Sequence, residues 1–153
     1  MTTVHIADER SLKQGYDAVL TLDDYHDGPC RGVANFRGEP HYFERIFDDA
    51  LDEYSDCYRL TRLSPQALQA AKENWEIFRR WRAAFDSGKT DLSTHPALPE
   101  ERDRFKAMQR QLEEALAKGR ARAIRTRGEF VAAGDSPSPV GVLSPWQVRW
   151  SDS

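Results

Sequence analysis

Residues 57–85 read CYRLTRLSPQALQAAKENWEIFRRWRAAF, and the hydrophobic period changes inside them. Up to Leu63 the residues alternate, as a half-buried strand does. Ser64-Pro65 then supplies a helix N-cap followed by proline at the first helical position. From there Leu68, Ala71, Trp75, Phe78, Trp81 and Phe85 recur at spacings of three and four, and Ile77 and Ala84 widen the stripe to roughly half the circumference. A helix with so broad an apolar face covers a sheet and touches a second helix as well. Gly88 ends it.

Before this junction the chain reads as a meander of four strands. Tyr16 to Leu22 alternates, with Tyr16, Ala18, Leu20 and Leu22 on one face and Asp17, Val19 and Thr21 on the other. Asp23 to Pro29 is turn chemistry, rich in Asp and closed by Gly28-Pro29. Arg31 to Phe36 forms a second strand with Val33 and Phe36 as core, and Arg37-Gly38-Glu39 is a hairpin loop. His41 to Phe47 is apolar on both faces, so it is central or covered on both sides. Asp48 to Asp56 is a solvated acidic turn, and Cys57 to Leu63 is the fourth strand.

After the first helix, Pro99-Glu100-Glu101 opens a second, with carboxylates at the positive end of its dipole. Its narrower stripe is Phe105, Met108, Leu112, Ala115 and Leu116, and Gly119 is expected as a left-handed stop. Ile124 to Val131 and Trp146 to Trp150 complete the strands. The order β-β-β-β-α-α-β-β predicts an α+β fold. The expected architecture is a bent antiparallel sheet or small half-barrel with an antiparallel helix pair packed on it. A flatter six-stranded sheet with both helices on one face is the alternative. One domain over residues 1–153 is expected, with a polar N-terminal segment at 1–14 and a flexible loop at 134–141.

The chain has 153 residues, a formal net charge of −3 and 31% charged residues. Residues 1–63 carry 7 Lys/Arg against 13 Asp/Glu, and residues 64–153 carry 15 against 12. A general nucleic-acid binder is more basic than this. No run approaches the roughly 18 apolar residues of a membrane helix. The opening MTTVHIAD lacks a basic and an apolar leader region, which points to the cytoplasm and to Cys30 and Cys57 as ordinary thiols. Neither cysteine lies in a CxxC pair, and GxSxG and HExxH are absent. Asp86-Ser-Gly-Lys-Thr90 is no phosphate loop, since it follows a helix and has Ala83 where the first glycine belongs. The acidic run from Asp48 lacks the glycine and glutamate positions of a calcium loop.

Three candidate constellations remain. His26 and Asp27 on the first turn, with His41 and Glu44 on the third strand, could lie within about 10 Å across two strand spacings. They could bind a metal or share acid–base work. His41 and Glu44, however, point to opposite faces of a regular strand. Glu44, among apolar neighbours, needs a partner if buried, and Arg79, Arg80 or Arg82 of the wide helix could supply one. The basic stretch Lys118, Arg120, Arg122, Arg125 and Arg127 could meet phosphates, with Arg125 and Arg127 on one strand face, yet it lacks interleaved aromatics and the acidic half repels a polyanion.

Asp23-Asp24-Tyr25-His26-Asp27-Gly28-Pro29, Gly32-Val33-Ala34 and Pro40-His41-Tyr42-Phe43-Glu44 resemble a pattern in small uncharacterised bacterial proteins with no assigned activity. The resemblance runs through about the first 85 residues and implies no catalytic residue. The expected function is that of a small soluble adaptor without catalytic chemistry, needing no cofactor or metal, which meets a protein partner through Tyr25, His26 and Asp27. The alternatives are a small enzyme or metal-binding protein using His26 or His41 with Asp27 or Glu44, and nucleic-acid association through Arg120 to Arg127.

Overall fold

A computed structural model describes residues 12–132 and 146–152. In chain order the strands are β1 (Asp17–Tyr25), β2 (Pro29–Phe36), β3 (Glu39–Asp48) and β4 (Glu53–Arg62). Helices α1 (Pro65–Asp86) and α2 (Arg102–Gly119) follow, then β5 (Ile124–Ala132) and β6 (Trp146–Ser151). All six strands pair antiparallel in sequence order, and β6 pairs back onto β1 through Asp17–Val148 and Ala18–Gln147. The expected bent sheet or half-barrel is therefore corrected to a closed barrel. Closure removes both sheet edges, which an open meander would leave unpaired.

Closure also splits the core in two. Val19, Leu22, Ala34, Phe43, Tyr58, Leu60 and Val148 fill the barrel interior, with Phe36, Phe130, Trp146 and Trp150 packed against them. Val33, Tyr42 and Leu63 on the outer wall meet Ala67 and Ala71 of α1 and Leu112 and Leu116 of α2. The two-faced β3 is thus explained: Phe43 points inward and Tyr42 points out beneath the helices. Val33 and Phe36, read together as core, lie on opposite sides of the wall. A β-bulge between Val19 and Thr21 changes the alternation read for β1. Leu22 joins Val19 inside, while Leu20 packs outside. Glycines make room for the interior rings. A Cβ on Gly32 would lie 2.3 Å from the Thr21 carbonyl oxygen and 2.9 Å from Phe43, and one on Gly128 would lie 2.7 Å from Trp150.

Ser64 caps α1 by accepting from the Ala67 amide at 3.2 Å. The helix ends where Gly88 takes φ +76°. Two ion pairs tie α1 to the start of α2: Arg80 grips Glu101 with its Nε and Nη2, and Arg104 pairs with Glu73. Gly119 differs from expectation. Its φ of −85° is right-handed, and the chain runs on into a 3-10 turn at Arg120–Arg122. Closeness is what requires glycine there, since a Cβ would lie 2.6 Å from Thr61 Cγ2 on β4.

Candidate functional site

β1 does not end at Leu22. A second irregularity between Leu22 and Asp24 carries it on to Tyr25, so Asp23 and Asp24 belong to a strand and not to the turn expected of them. The consequence is a cleft of about 410 Å³ between the outer barrel wall and the helix pair. Asp23, Asp24 and Tyr25 of β1, Arg31 of β2 and Tyr42 of β3 form its polar wall. Trp75 and Phe78 of α1 with Phe105 and Leu112 of α2 form its apolar wall. Asn74, Gln109 and the His95-Pro96 pair, joined by a cis peptide, complete the lining.

The Tyr42 hydroxyl donates to Asp23 Oδ2 at 3.1 Å. Asp23 is exposed to solvent, and the protein packed around its carboxyl still removes part of its hydration. That desolvation dominates over the hydrogen bonds from Tyr42 and Thr21 and pushes its pKa up to about 6. Tyr42 is raised well above the ordinary phenol range, first by its own burial and then by the neighbouring Asp23 charge. Opposite, Asn74 is 7% exposed. With its amide turned to match its surroundings, its nitrogen donates to the Phe105 carbonyl at 3.3 Å and its oxygen accepts from the Gln109 amide at 3.1 Å. The Trp75 indole N–H is buried without a hydrogen-bond partner, a condition that ordinarily costs about 1–3 kcal/mol. His95 stands edge-on to Trp81, ring centroids 4.7 Å apart, at the outer end of this aromatic wall.

A smaller hollow of about 240 Å³ adjoins the cleft, sharing Asp24 and Arg31 with it and adding Cys30, Glu44, Arg45, Tyr54 and Arg59. Glu44 is buried on the outer face of β3 and meets Arg31 at 3.5 Å, Arg59 at 3.3 Å and Arg120 at 3.4 Å. The expected partners were arginines of α1. Those bond elsewhere, Arg79 to Glu76, Arg80 to Glu101 and Arg82 to Asp86. Cross-strand register explains the outcome, because Glu44 lies directly opposite Arg31 on β2 and Arg59 on β4.

The other residues singled out in the sequence are dispersed. Tyr25 lines the cleft and its ring lies 5.9 Å from Trp146. His26 packs edge-on to Tyr54, and its carbonyl and that of Asp27 accept from Arg45 at 3.4 and 3.2 Å. Asp27, at φ 54°, shapes the hairpin tip. His41 lies four residues before Arg45 on β3, about 13 Å along the strand. There its Nδ1 meets the Glu39 carbonyl at 2.9 Å and its ring meets Phe36. His26 and His41 therefore occupy different ends of the barrel, and Glu44 faces outward. Among the described residues no three His, Cys, Asp or Glu side chains gather as a metal would need. Arg127 pairs with Asp56 at 2.6 Å, while Arg125 lies opposite Arg59. Cys30 and Cys57 are free thiols.

Of the cleft residues sequence reading singled out Tyr25 as a binding residue and missed Asp23 and its partners, because Asp23 and Asp24 looked like turn formers. Asn74 did carry a signal: it sits in the buried stripe of α1 between Ala70 and Ile77, where an apolar residue belongs. Comparison with protein families finds no match for this chain, and neither does comparison with curated proteins or with solved structures. No helix among the described residues is long and apolar enough to cross a membrane.

Proposed function

We propose that the protein binds a small ligand in the cleft between barrel and helix pair, a flat apolar ring carrying a cationic or N–H donor group. The observation that carries this reading is the position of Asp23. An acceptor open to the cleft, fixed by Tyr42, faces an aromatic wall across a space of ligand size. One polar and one apolar wall set the ligand's orientation, and an ionised carboxylate makes a charge-assisted bond to a donor.

Calorimetric titration with tryptamine and indole-3-acetate at pH 7.5 tests it. The expected result is binding of the amine and not of the acid, weakened roughly tenfold or more by Asp23→Asn. At pH 5 the wild-type protein should weaken similarly, because Asp23 is then protonated. Equal binding of amine and acid, or amine binding indifferent to Asp23→Asn, would overturn the reading.

The Tyr42 hydroxyl held 3.1 Å from Asp23 favours a catalytic variant of the same site, since a hydrogen-bonded carboxyl with its pKa pushed up to about 6 can exchange protons near neutrality. The adaptor reading, through Tyr25, His26 and Asp27, is the alternative. Its supports are exposed Tyr25 at the cleft rim and the hairpin tip beside it. It predicts that the tip, and not Asp23, governs partner capture.

A further inference from the structure

Glu44 is one buried carboxylate shared by three guanidiniums, those of Arg31, Arg59 and Arg120. Each guanidinium has five N–H donors, and these three side chains are 52%, 42% and 45% exposed. Arg45 adds a fourth at the edge of the hollow. Of the four, Arg31, Arg45 and Arg59 line the hollow beside Glu44 and Asp24. Arg45 uses its Nε and Nη1 on the carbonyls of Ser55, His26 and Asp27, so the unused donors at the surface are those of Arg31 and Arg59. The excess continues sideways. Arg31, Glu44, Arg59 and Arg125 lie in one register row across β2, β3, β4 and β5, so Arg59 and Arg125 are directly opposed like charges. Such a pair is destabilising by itself, and an anion above it would relieve the repulsion.

This basic hollow is continuous with the cleft, since Asp24 and Arg31 line both. Tyr42 of the cleft and Glu44 of the hollow are alternate residues on one face of β3, about 7 Å apart. A ligand longer than the cleft therefore reaches the hollow without a break. Resting on the cleft reading above, we infer that the ligand is bipartite: a nucleoside monophosphate whose base lies between Asp23 and the aromatic wall while its phosphate sits on Arg31 and Arg59. Guanine suits Asp23 best, because its ring N–H and exocyclic amine present adjacent donors to a carboxylate. The guanidinium fork matches phosphate oxygens in the same way. Glu44 serves as a positioning residue, holding the arginines splayed beneath the anion.

Calorimetry at low salt with GMP, guanosine, inorganic phosphate and tryptamine tests the inference, using wild type, Asp23→Asn and Arg59→Gln. Arg59 is half-exposed and leaves Glu44 with two partners when replaced, and thermal unfolding of each variant verifies folding. GMP should bind roughly tenfold or more tighter than guanosine, with affinity falling as salt rises. Arg59→Gln should abolish that advantage and leave guanosine affinity unchanged, while Asp23→Asn should weaken both. Tryptamine binding with GMP no tighter than guanosine would overturn the inference and leave the cleft reading standing. Binding of inorganic phosphate alone, with neither guanosine nor tryptamine, would overturn both.

Discussion

Asp23 couples the site to stability. Its folded pKa, about 6, lies above the ordinary carboxylate value of 3.8. The folded state therefore holds a proton that the unfolded chain releases between these values. The stabilising contribution is complete below about pH 4 and is lost as pH rises through about 6. Because the carboxylate retains water in the cleft, the loss is expected at about 1–2 kcal/mol, less than the full linkage value. Asp23→Asn should accordingly raise the unfolding temperature at pH 7.5 and leave it nearly unchanged at pH 3, below the unfolded value, as thermal denaturation followed by circular dichroism would measure. An increase equal at both pH values would remove desolvation as the cause. At this scale the site was only partly legible. Glu44 announced its need for partners because it stands between Phe43 and Arg45 in a strand apolar on both faces. Which arginines met it depended on register, a property of pairs of strands that no single segment carries. Asp23 was hidden for a different reason: Asp-Asp before Gly-Pro has the chemistry of a turn, and only the bulges of β1 extend the strand through it.

Among the elements, the end of α2 shows proximity overriding intrinsic preference. In a right-handed conformation Ala is favoured over Gly by about 0.5–1 kcal/mol, and Gly119 has such a conformation. Thr61 reverses the sign, for its Cγ2 would lie 2.6 Å from the new Cβ and its side chain is buried. Gly119→Ala is expected to destabilise by about 1–2 kcal/mol, since overpacking ordinarily costs about 1–3 kcal/mol and the gain in helix propensity offsets part of it. Thr61→Ser, which deletes that methyl group, should recover most of the loss in the double variant, as urea denaturation of the four-member cycle would measure. Additive effects would place the two residues out of contact. The elements themselves could be read from residues 57–85 outward, since the period change at Ser64 and the two helical stripes are local features. The reason for Gly119 was not local. A glycine after a helix suggests a left-handed stop, and the tight contact with β4 exists only once the helix pair has docked.

For the molecule as a whole, closing the barrel joins the first strand to the last around one interior. Val148 of β6 is fully buried in the interior, so the last strand completes the core begun by Val19 and Leu22 of β1. This closure was not readable beforehand because the bend of a sheet accumulates from twist and bulges over all its strands, and a half-barrel and a barrel share one hydrophobic pattern. The seams differ in extent. β1 and β6 are joined through two register pairs among the described residues, Asp17–Val148 and Ala18–Gln147, whereas β3 and β4 share seven. Fewer ladder bonds across a seam mean a smaller free energy for local opening. Amide hydrogen exchange at native pH should therefore be faster for paired amides at the β1–β6 seam than for those at the centre of β3–β4, around Phe43 and Leu60. A cleft ligand touches β1 through Asp23 and Tyr25, on the strand that forms this seam. Adding a ligand that binds there should slow exchange at Ala18 more than at Phe43, since binding to the closed form draws the opening equilibrium down. Equal protection of both seams without ligand would show that the barrel opens only by global unfolding, and that closure is as strong at its shortest join as at its longest.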